Sequence, residues 1–314
     1  MRLAKDAHDE TLTILAHTMT DTDMNNNKVQ SGTVLVLGSL HYDVMIEAPH
    51  RPSTGETVTG QRWYPKFGGK GGNQAVACKL HGAQVRFVSA TGSDNFADYL
   101  HEYLAQVGIS TEYVPRLESI GSGMSVAIQD VDGDYGAVIV SGANLVIPAG
   151  MLDRESLWAG SSMLLLQNEV PEVLNLIAAE HARKRQIPVC LNAAPVREIS
   201  AGLADKIDII IVNSVEAQAL GGGVVDSLDA AEKAANTLSQ HYSTVIVTAG
   251  GDGVAMASDS SDSIKLPAKQ IDVISTHGAG DVFTGTLCAE LVAGTSLQNA
   301  VEIANDKAAI HVST

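Results

Sequence analysis

The chain has 314 residues, which is enough to bury the core of one large α/β domain or of two smaller ones. Its formal net charge of -16 argues against a surface that binds nucleic acid or an anionic membrane, because such surfaces need clustered lysine and arginine side chains. The 3 cysteines lack metal-ligand or disulfide spacing, and the apolar runs are shorter than the ~20 residues that cross a bilayer, so we expect a cytoplasmic protein without zinc or disulfides.

Residues 1–32 are polar and mostly unpatterned. They lack the basic stretch and apolar core of a secretory signal, so we expect a disordered segment or an extension. From residue 33 to residue 314, short β-branched runs alternate with helical patterns, which predicts one domain. The predicted strands lie at 34–38, 85–90, 163–166, 189–192, 207–212 and 244–248. The predicted helices lie at 72–81, 95–107, 171–184, 215–220, 229–240, 281–293 and 297–312.

The predicted strands are nearly continuous runs of valine, isoleucine and leucine. Such runs are typical of parallel strands that are covered on both faces. We therefore predict an α/β fold with a doubly wound (Rossmann-like), mostly parallel sheet and helices on both faces. Ligands in this architecture bind at the carboxyl ends of the strands.

Two segments, at about 43–67 and 121–143, instead alternate apolar and polar residues and carry turn residues. In the second segment, an Asp/Gly cluster at 130–134 separates two alternating runs, which is a hairpin signal. We interpret the two segments as a small β-sheet that acts as a lid beside the main domain. The alternative is a pair of ordinary surface hairpins.

The most informative stretch reads Gly-Gly-Lys-Gly-Gly-Asn-Gln-Ala at 68–75. Its glycines would let backbone amides and the ammonium of Lys70 approach an oxygen-rich ligand at the start of a helix. The spacing fits neither a dinucleotide-binding nor a Walker A pattern, because Gln74 stands where a third glycine would fall and no Ser or Thr follows Lys70. A purely structural turn rarely needs so many glycines.

Polar side chains follow several predicted strands. Asp43 lies beyond the first strand, where its carboxylate could accept hydrogen bonds from substrate hydroxyls or simply form a turn. Glu169 closes a later strand and could bind a hydroxyl or favour the start of the helix that follows.

The next strands end in Asn192, in Asn213 and in a glycine-rich turn at 248–253. Asn213 and Glu216, three residues apart at a helix start, predict a capping box by default. Alternatively, they orient water molecules around a magnesium ion. The turn at 248–253 is either an ordinary β-turn or backbone that lies along nucleotide phosphates.

The stretch 275–285 should end a short apolar strand and open an amphipathic helix. Its small residues would let the amides of residues 278–281 face a bound group at the positive end of the helix dipole. This pattern predicts an anion site with the carboxylate of Asp281 beside it. The alternative is that Asp281 only caps the helix.

The motifs at 68–75, 213–216 and 278–281, in this order, resemble those of the PfkB-type carbohydrate kinases, most nearly their ribokinase members. The likeness runs from about residue 34 to residue 314. It implies a ribokinase-like fold, ATP and Mg²⁺ as cofactors, a small-molecule sugar as acceptor, and a homodimer that pairs through the lid. No nucleic-acid or membrane partner is expected.

The resemblance implies a role for each matching position. Asp281 would take the proton from the attacking sugar hydroxyl, and the amides of Gly278, Ala279 and Gly280 would hold the charge on the transferred phosphoryl group. The positions that match the sugar site are His41, Asp43, Gly69, Lys70, Asn73 and Glu169, with Asp281. The positions that match the nucleotide side are Asn192, Asn213, Thr248, Gly250, Gly253 and Asn305, with Glu216 for magnesium through water.

The chain departs from the family pattern at three places. His41 stands where the family usually has a sugar-binding Asn, which bears on the identity of the acceptor. Ser275 replaces the Asp of the family's DTxGAGD motif that helps to bind an activating monovalent cation, and His277 precedes the anion site. The chain also ends at Thr314, before the family's final loop and helix. We therefore expect only weak activation by potassium.

From the resemblance we predict transfer of the γ-phosphoryl group of ATP to the primary hydroxyl of a pentose, with D-ribose as the expected acceptor. One alternative is the same chemistry on another sugar or a nucleoside, because few side chains shape the acceptor pocket. The other is a non-catalytic sugar or nucleoside sensor on a kinase scaffold, against which Asp281, Lys70 and Glu216 argue.

Overall fold

The computed structural model describes residues 32–131, 135–259 and 261–313. The predicted N-terminal segment, except for residue 32, and residues 132–134 of the predicted hairpin turn lie outside the described residues. The strands are β1 (Thr33–Leu37), β2 (His41–Glu47), β3 (Arg62–Gly68), β4 (Gln84–Val88), β5 (Thr91–Gly92), β6 (Arg116–Leu117), β7 (Met124–Gln129), β8 (Tyr135–Val140), β9 (Ser161–Gln167), β10 (Val189–Asn192), β11 (Ile209–Asn213), β12 (Thr244–Thr248), β13 (Val254–Ser258) and β14 (Ser261–Leu266). The α-helices are α1 (Lys70–Leu80), α2 (Asn95–Gln106), α3 (Glu155–Trp158), α4 (Glu172–Lys184), α5 (Ala201–Ala204), α6 (Ser214–Ala219), α7 (Leu228–Leu238), α8 (Ala279–Val292) and α9 (Leu297–Val312).

The large sheet has 8 strands in the order β14-β13-β12-β11-β10-β9-β1-β4. Every pairing from β4 to β12 is parallel. The edge beyond β12 is antiparallel, because β13 pairs antiparallel with both β12 and β14. The mostly parallel, doubly wound sheet predicted from the sequence is therefore confirmed, with an antiparallel edge that the sequence patterns did not predict.

The large sheet separates two hydrophobic cores. Leu35 and Leu37 of β1 belong to the core that includes buried residues of α4, α5, α6 and α7. Val34 and Val36 belong to the core on the other face, with buried residues of α1, α2, α8 and α9. Successive side chains of a strand point to opposite faces, so a strand covered on both sides must be apolar throughout.

The cysteines belong to one of these cores. Cys78, Cys190 and Cys288 are all free and buried on the face of α1 and α8. Their interpretation as small buried hydrophobic residues agrees with this placement. A membrane-spanning helix is absent from the described part of the chain, since none combines the necessary length with enough apolar character.

The two alternating segments form one small sheet with the order β3-β2-β7-β8. Strands β2 and β7 pair in parallel, while β3 and β8 pair antiparallel at the two edges. The small sheet is thus confirmed, and its two hairpins join through their central strands. Because β2 begins at His41, Asp43 lies inside a strand, and the alternative of a turn residue is wrong.

Helix α8 lies inside its layer of helices. It contacts α1, α9, β1 and β9, and its residues from Phe283 to Ala289 are all buried. The prediction of an amphipathic helix is therefore wrong, because neighbours cover this helix on several sides. The predicted apolar strand before it is also wrong, since residues 267–278 contain no strand.

Gly285 allows α8 to approach α1 closely. A Cβ atom at position 285 would lie 2.4 Å from the Cβ atom of Ala77 and 2.8 Å from the carbonyl oxygen of Gln74. The second contact involves backbone, which cannot rotate away. Glycine at this position therefore sets the spacing between the two helices.

Gly285→Ala should lower the free energy of unfolding by about 1–3 kcal/mol, because the added methyl group overpacks the α1–α8 contact. Urea denaturation measures this change. The matched control is Gly202→Ala in α5, where a Cβ atom would meet only Leu176 Cδ1, at 3.9 Å. That control should be neutral or stabilising by up to about 1 kcal/mol. Equal effects of the two substitutions would contradict the packing argument.

Candidate active site

The polar residues that follow the parallel strands meet at one edge of the large sheet. Strands β1, β9, β10 and β11 are parallel neighbours, so their carboxyl ends lie side by side. Asn192 and Asn213 are the last residues of β10 and β11, and Glu169 follows β9 by two positions. This edge is where a doubly wound sheet binds its ligands.

Asp281 lies in the first turn of α8, and only 8% of its surface is exposed to solvent. Its Oδ1 atom accepts a hydrogen bond from Gln74 Nε2 at 2.9 Å, and its Oδ2 atom accepts one from Asn73 Nδ2 at 3.2 Å. Both donors belong to α1 and to the glycine-rich stretch at 68–75. The structure thus brings two motifs from distant parts of the chain into contact.

Burial raises the pKa of Asp281 above its usual value. The ammonium of Lys70 and the hydrogen bonds from Gln74 and Asn73 oppose this shift, whereas the charge of Glu169 adds to it. A carboxylate with a raised pKa in a polar cleft is suited to accept a proton.

The N-terminus of α8 exposes two backbone donors. Its N-cap residue is Gly278, with a φ of 85°, so Asp281 is not the N-cap and its carboxylate oxygens bind α1. In the described part of the chain, the amides of Gly278 and Gly280 have no hydrogen-bond acceptor. The amide of Ala279 makes a long contact of 3.4 Å to Thr276 O, and the amide of Asp281 bonds to Gly278 O at 3.0 Å. The prediction that all four amides face a ligand is therefore wrong for Asp281, because the first turn closes on itself.

The amides at the start of α1 bind oxygen atoms of the chain itself. The amide of Lys70 donates to Glu169 Oε2 at 2.8 Å. The amide of Gly71 donates to Ser39 Oγ at 3.4 Å, and that of Gly72 donates to Ser39 O at 2.9 Å. The prediction that this stretch turns its amides towards a ligand is wrong for these three positions.

Close packing explains the glycines instead. A Cβ atom at Gly71 would lie 2.5 Å from the backbone of Gly38 and Ser39. Gly69 has a φ of 86°, and a Cβ atom there would lie 2.8 Å from Ser39 O. The glycines let α1 approach the loop after β1, in which Ser39 bonds to Glu169.

Glu169 connects two parts of the site. Its Oε2 atom accepts hydrogen bonds from Ser39 Oγ at 2.5 Å and from the amide of Lys70 at 2.8 Å. It does not cap α4, whose N-cap residue is Pro171. Glu169 therefore joins the end of β9 to the loop after β1 and to the start of α1.

Asp43 lies on the inner face of the small sheet and is 8% exposed. Its Oδ1 atom accepts a hydrogen bond from Ser125 Oγ at 2.5 Å. Burial raises its pKa, while the bond from Ser125 and the charges of His41 and Lys66 act in the opposite direction. His41 is 4% exposed, and its Nε2 atom has no partner among the described residues.

Two further residues of this site, Gln74 and Lys66, were not predicted from the sequence. Gln74 is fully buried, and its Nε2 atom donates to Asn192 Oδ1 at 3.1 Å as well as to Asp281. Its place beside Asn73 in the glycine stretch was the only available signal. Lys66 lies directly opposite Asp43 in the pairing of β3 with β2, which no local pattern shows.

Asn213 and Glu216 form the expected capping box. Asn213 Oδ1 accepts hydrogen bonds from the amides of Val215 and Glu216, each at 2.9 Å. Glu216 Oε2 accepts one from the amide of Asn213 at 2.8 Å. Burial raises the pKa of Glu216, and the charges of Lys70 and Asp281 also act on it. The capping box therefore places Glu216 within electrostatic reach of the proposed base.

The remaining predicted nucleotide-side residues already have structural roles. Thr248 ends β12, and its Oγ1 atom donates to Val212 O at 3.4 Å. Gly253 has a φ of 119°, and a Cβ atom there would lie 2.1 Å from Leu266 O, so this position requires glycine. Gly250 opens a short 3₁₀ helix and has open space around it. Asn305 Nδ2 donates to Pro267 O at 3.0 Å.

Few of the described side chains are arranged to bind a cation. Among the residues that the structure describes, no group of three or more His, Cys, Asp or Glu side chains is arranged to hold a metal ion. Ser275 is exposed, and its Oγ atom accepts a hydrogen bond from the amide of His277 at 3.3 Å. Burial and the nearby charges of Lys66 and Lys70 lower the pKa of His277 to about 4, so its imidazole is neutral at neutral pH.

The comparisons with known proteins identify the family of this chain. Residues 31–314 match the family described as pfkB family carbohydrate kinase. A ribokinase of Haemophilus influenzae is 34% identical over 282 residues, which cover 89% of this chain and 92% of that relative. A deoxyribokinase of Salmonella typhi is 32% identical over 256 residues, which cover 80% of this chain and 83% of that relative.

A solved structure has the same fold. The structure of Arabidopsis thaliana ribokinase complexed with ribose and ATP superposes with a TM-score of 0.83 at 26% identity. The superposition covers 91% of this chain and 94% of that chain. The predicted fold class and the predicted family are both confirmed.

Asp281→Asn should raise the free energy of unfolding at neutral pH, because it removes a charge whose burial is unfavourable. The pKa of Asp281 is higher in the folded than in the unfolded protein, so the folded state binds more protons between the two values. The wild-type protein therefore gains stability as the pH falls through the folded pKa, and the advantage of Asp281→Asn shrinks. Urea denaturation at neutral and at mildly acidic pH measures the difference.

Asp229→Asn is the matched control for this prediction. A hydrogen bond from Lys265 lowers the pKa of Asp229, which is the opposite direction. Its substitution should not stabilise the protein at neutral pH. A stability difference for Asp281→Asn that stays constant with pH would contradict the assignment of a raised pKa.

Proposed function

Because this chain belongs to the pfkB family of carbohydrate kinases, we propose that it transfers the γ-phosphoryl group of ATP to the primary hydroxyl of D-ribose, yielding D-ribose 5-phosphate. The chain is a phosphotransferase that uses an alcohol group as acceptor, as its family and its ribokinase relatives are. ATP as donor is supported by the Arabidopsis ribokinase complexed with ribose and ATP. A cytoplasmic location is part of the proposal, supported by three free cysteines.

One observation supports the proposal: the Asp281 carboxylate lies beside the amides of Gly278 and Gly280, for which the described residues offer no hydrogen-bond acceptor. The carboxylate takes the proton of the attacking hydroxyl, and its raised pKa suits that role. The amides of Gly278 and Gly280, with that of Ala279 near them, stabilise negative charge on the transferred phosphoryl group. Positioning and electrostatics of this kind dominate the catalysis of phosphoryl transfer.

The acceptor lies between the small sheet and the start of α1. Asp43 and Glu169 accept hydrogen bonds from sugar hydroxyls, and Asn73 orients the hydroxyl near Asp281. The residues that we assign to the acceptor are His41, Asp43, Gly69, Lys70, Asn73, Glu169 and Asp281. The small sheet, which carries His41 and Asp43, closes over the acceptor as a lid and excludes water.

ATP lies along the carboxyl ends of β10, β11 and β12. The residues that we assign to the nucleotide are Asn192, Asn213, Thr248, Gly250, Gly253 and Asn305. Mg²⁺ is held near Glu216 through water, since each oxygen of this carboxylate uses one lone pair in the capping box and retains another. When bound, the ion neutralises charge on the phosphate oxygens.

An acceptor screen tests the function. ADP release is coupled to an optical readout, and D-ribose is compared with other pentoses, hexoses and nucleosides. D-ribose should give the highest kcat/KM. A higher value for another sugar or a nucleoside would keep the chemistry and correct the substrate, an outcome that the deoxyribokinase relative makes relevant. No turnover with any acceptor would favour the sensor.

Asp281→Asn should lower turnover by roughly 10²-fold or more while the protein stays folded, because the reaction loses its base. Circular dichroism checks the fold, and coupled ADP release measures turnover. The matched control is Asp229→Asn on the exposed surface of α7, which should retain full activity. Near-normal turnover of Asp281→Asn would remove Asp281 as the base.

Potassium should activate the enzyme only weakly. Ser275 offers a neutral hydroxyl that already accepts a hydrogen bond from His277, and a hydroxyl holds a cation less strongly than a carboxylate does. Turnover should therefore change little when potassium replaces a bulky organic cation at constant ionic strength. A steep rise with potassium would refute this expectation.

The protein forms a homodimer through the small sheet. Strand β8 is an edge of that sheet, and Val138, Ile139 and Val140 are 70%, 54% and 54% exposed. An exposed apolar edge strand favours pairing with another chain.

Ile139→Lys should shift the mass measured by light scattering from dimer to monomer. Val173→Lys, at an equally exposed apolar position on α4, should leave the dimer intact, and a monomeric wild-type protein would contradict the proposal.

A further inference from the structure

A row of polar residues crosses the inner face of the small sheet. Lys66 on β3 and Ser125 on β7 both lie directly opposite Asp43 on β2. Cross-strand partners project from the same face of a sheet, so these three side chains lie side by side. His41, two residues before Asp43, belongs to that face as well. Lys66 is not among the residues that we assign to the acceptor or to the nucleotide.

The charge of Lys66 interacts with carboxylates at both ends of the proposed acceptor site. The charges of Asp43 and of Asp281 both act on it, while its own charge acts on His277 before the anion site. Burial lowers the pKa of Lys66, and the two carboxylates oppose that shift. Lys66, which lies directly opposite Asp43, is therefore within electrostatic range of both Asp43 and the proposed base Asp281.

Two nitrogen atoms at this place lack hydrogen-bond partners among the described residues. In the parts of the chain that the structure describes, Lys66 makes neither a hydrogen bond nor a close ion pair. Its polar interactions there are the longer-range attractions to Asp43 and Asp281. The buried Nε2 atom of His41 also has no partner there. A desolvated ammonium with three donors is unfavourable until acceptors are supplied. A bound molecule with closely spaced oxygen atoms supplies them.

We infer that Lys66 is a specificity-determining residue for the acceptor, and that its ammonium donates a hydrogen bond to a ring hydroxyl next to the one that Asp43 binds. A hydroxyl group both donates and accepts, so a carboxylate beside an ammonium matches two neighbouring hydroxyls of one sugar. The first hydroxyl donates to Asp43, and the second accepts from Lys66. This inference rests on the proposed function, and it narrows the substrate class to pentoses with hydroxyls on two neighbouring ring carbons.

Deoxy sugars provide the test, because they remove one acceptor atom from the ligand. A site that is built to bind a hydroxyl discriminates strongly against the analogue that lacks it, since the buried donor is left unpaired. The wild-type protein and Lys66→Met are assayed with D-ribose, 2-deoxy-D-ribose and 3-deoxy-D-ribose. Methionine retains most of the apolar stem of lysine and removes the donors.

Lys66→Met should lower kcat/KM for D-ribose about 10- to 100-fold, mainly by raising KM. With the deoxy sugar that lacks the partner hydroxyl, wild type and variant should have nearly equal kcat/KM. This loss of additivity identifies a direct contact. Lys66→Gln, which keeps N–H donors, should recover part of the lost affinity. Isothermal titration of D-ribose gives the same comparison without turnover.

Lys79→Met, in the last turn of α1, is the matched control and should leave all three sugars unaffected. An equal loss with all three sugars would overturn the inference, because it would indicate a structural or general electrostatic effect. Unchanged affinity for D-ribose would overturn it too. If wild type turns over no sugar, the proposed function fails, and the titration then decides separately whether Lys66 binds D-ribose.

Discussion

The carboxylate of Asp281 is buried at the start of a buried helix and accepts its hydrogen bonds from outside that helix, and the site of this protein is built around those bonds. Asp281 receives them from Asn73 and Gln74, which lie on α1. Gln74 also bonds to Asn192 at the end of β10, so one side chain joins two helices to the sheet. Gly285 keeps α1 and α8 close enough for these bonds. The position of the Asp281 carboxylate therefore depends on the packing of α1 against α8 more than on interactions within α8 itself.

The glycines show how packing and ligand binding can share a motif. At Gly71 and Gly253 a side chain would collide with backbone, so close packing by itself requires glycine at both positions, whether or not they also contact a ligand. The amides of Lys70, Gly71 and Gly72 bind oxygen atoms of the chain. Backbone donors without a partner in the described residues occur instead at Gly278 and Gly280. A glycine-rich stretch thus predicts that another group approaches its backbone closely. Only the tertiary structure shows whether that group is another part of the chain or a ligand.

Electrostatics in the cleft differ from those of the chain as a whole. The protein carries a formal net charge of -16, which repels anions at long range. Within the cleft, the charges of Lys66 and Lys70 act on the neighbouring carboxylates and on His277. The attraction for phosphate or for sugar oxygen is consequently local, and the neutral imidazole of His277 adds no charge to it.

Local sequence determined those features that depend on neighbours along the chain. Valine, isoleucine and leucine runs predicted the parallel strands, the spacing of Asn213 and Glu216 predicted the capping box, and the ordered motifs indicated the family. Tertiary structure decided that α8 is buried on several sides, that Gln74 bridges Asp281 and Asn192, and that Lys66 stands opposite Asp43. Each of these relations joins residues that are far apart in sequence. Strand register and helix packing bring them together, and neither follows from the residues on either side.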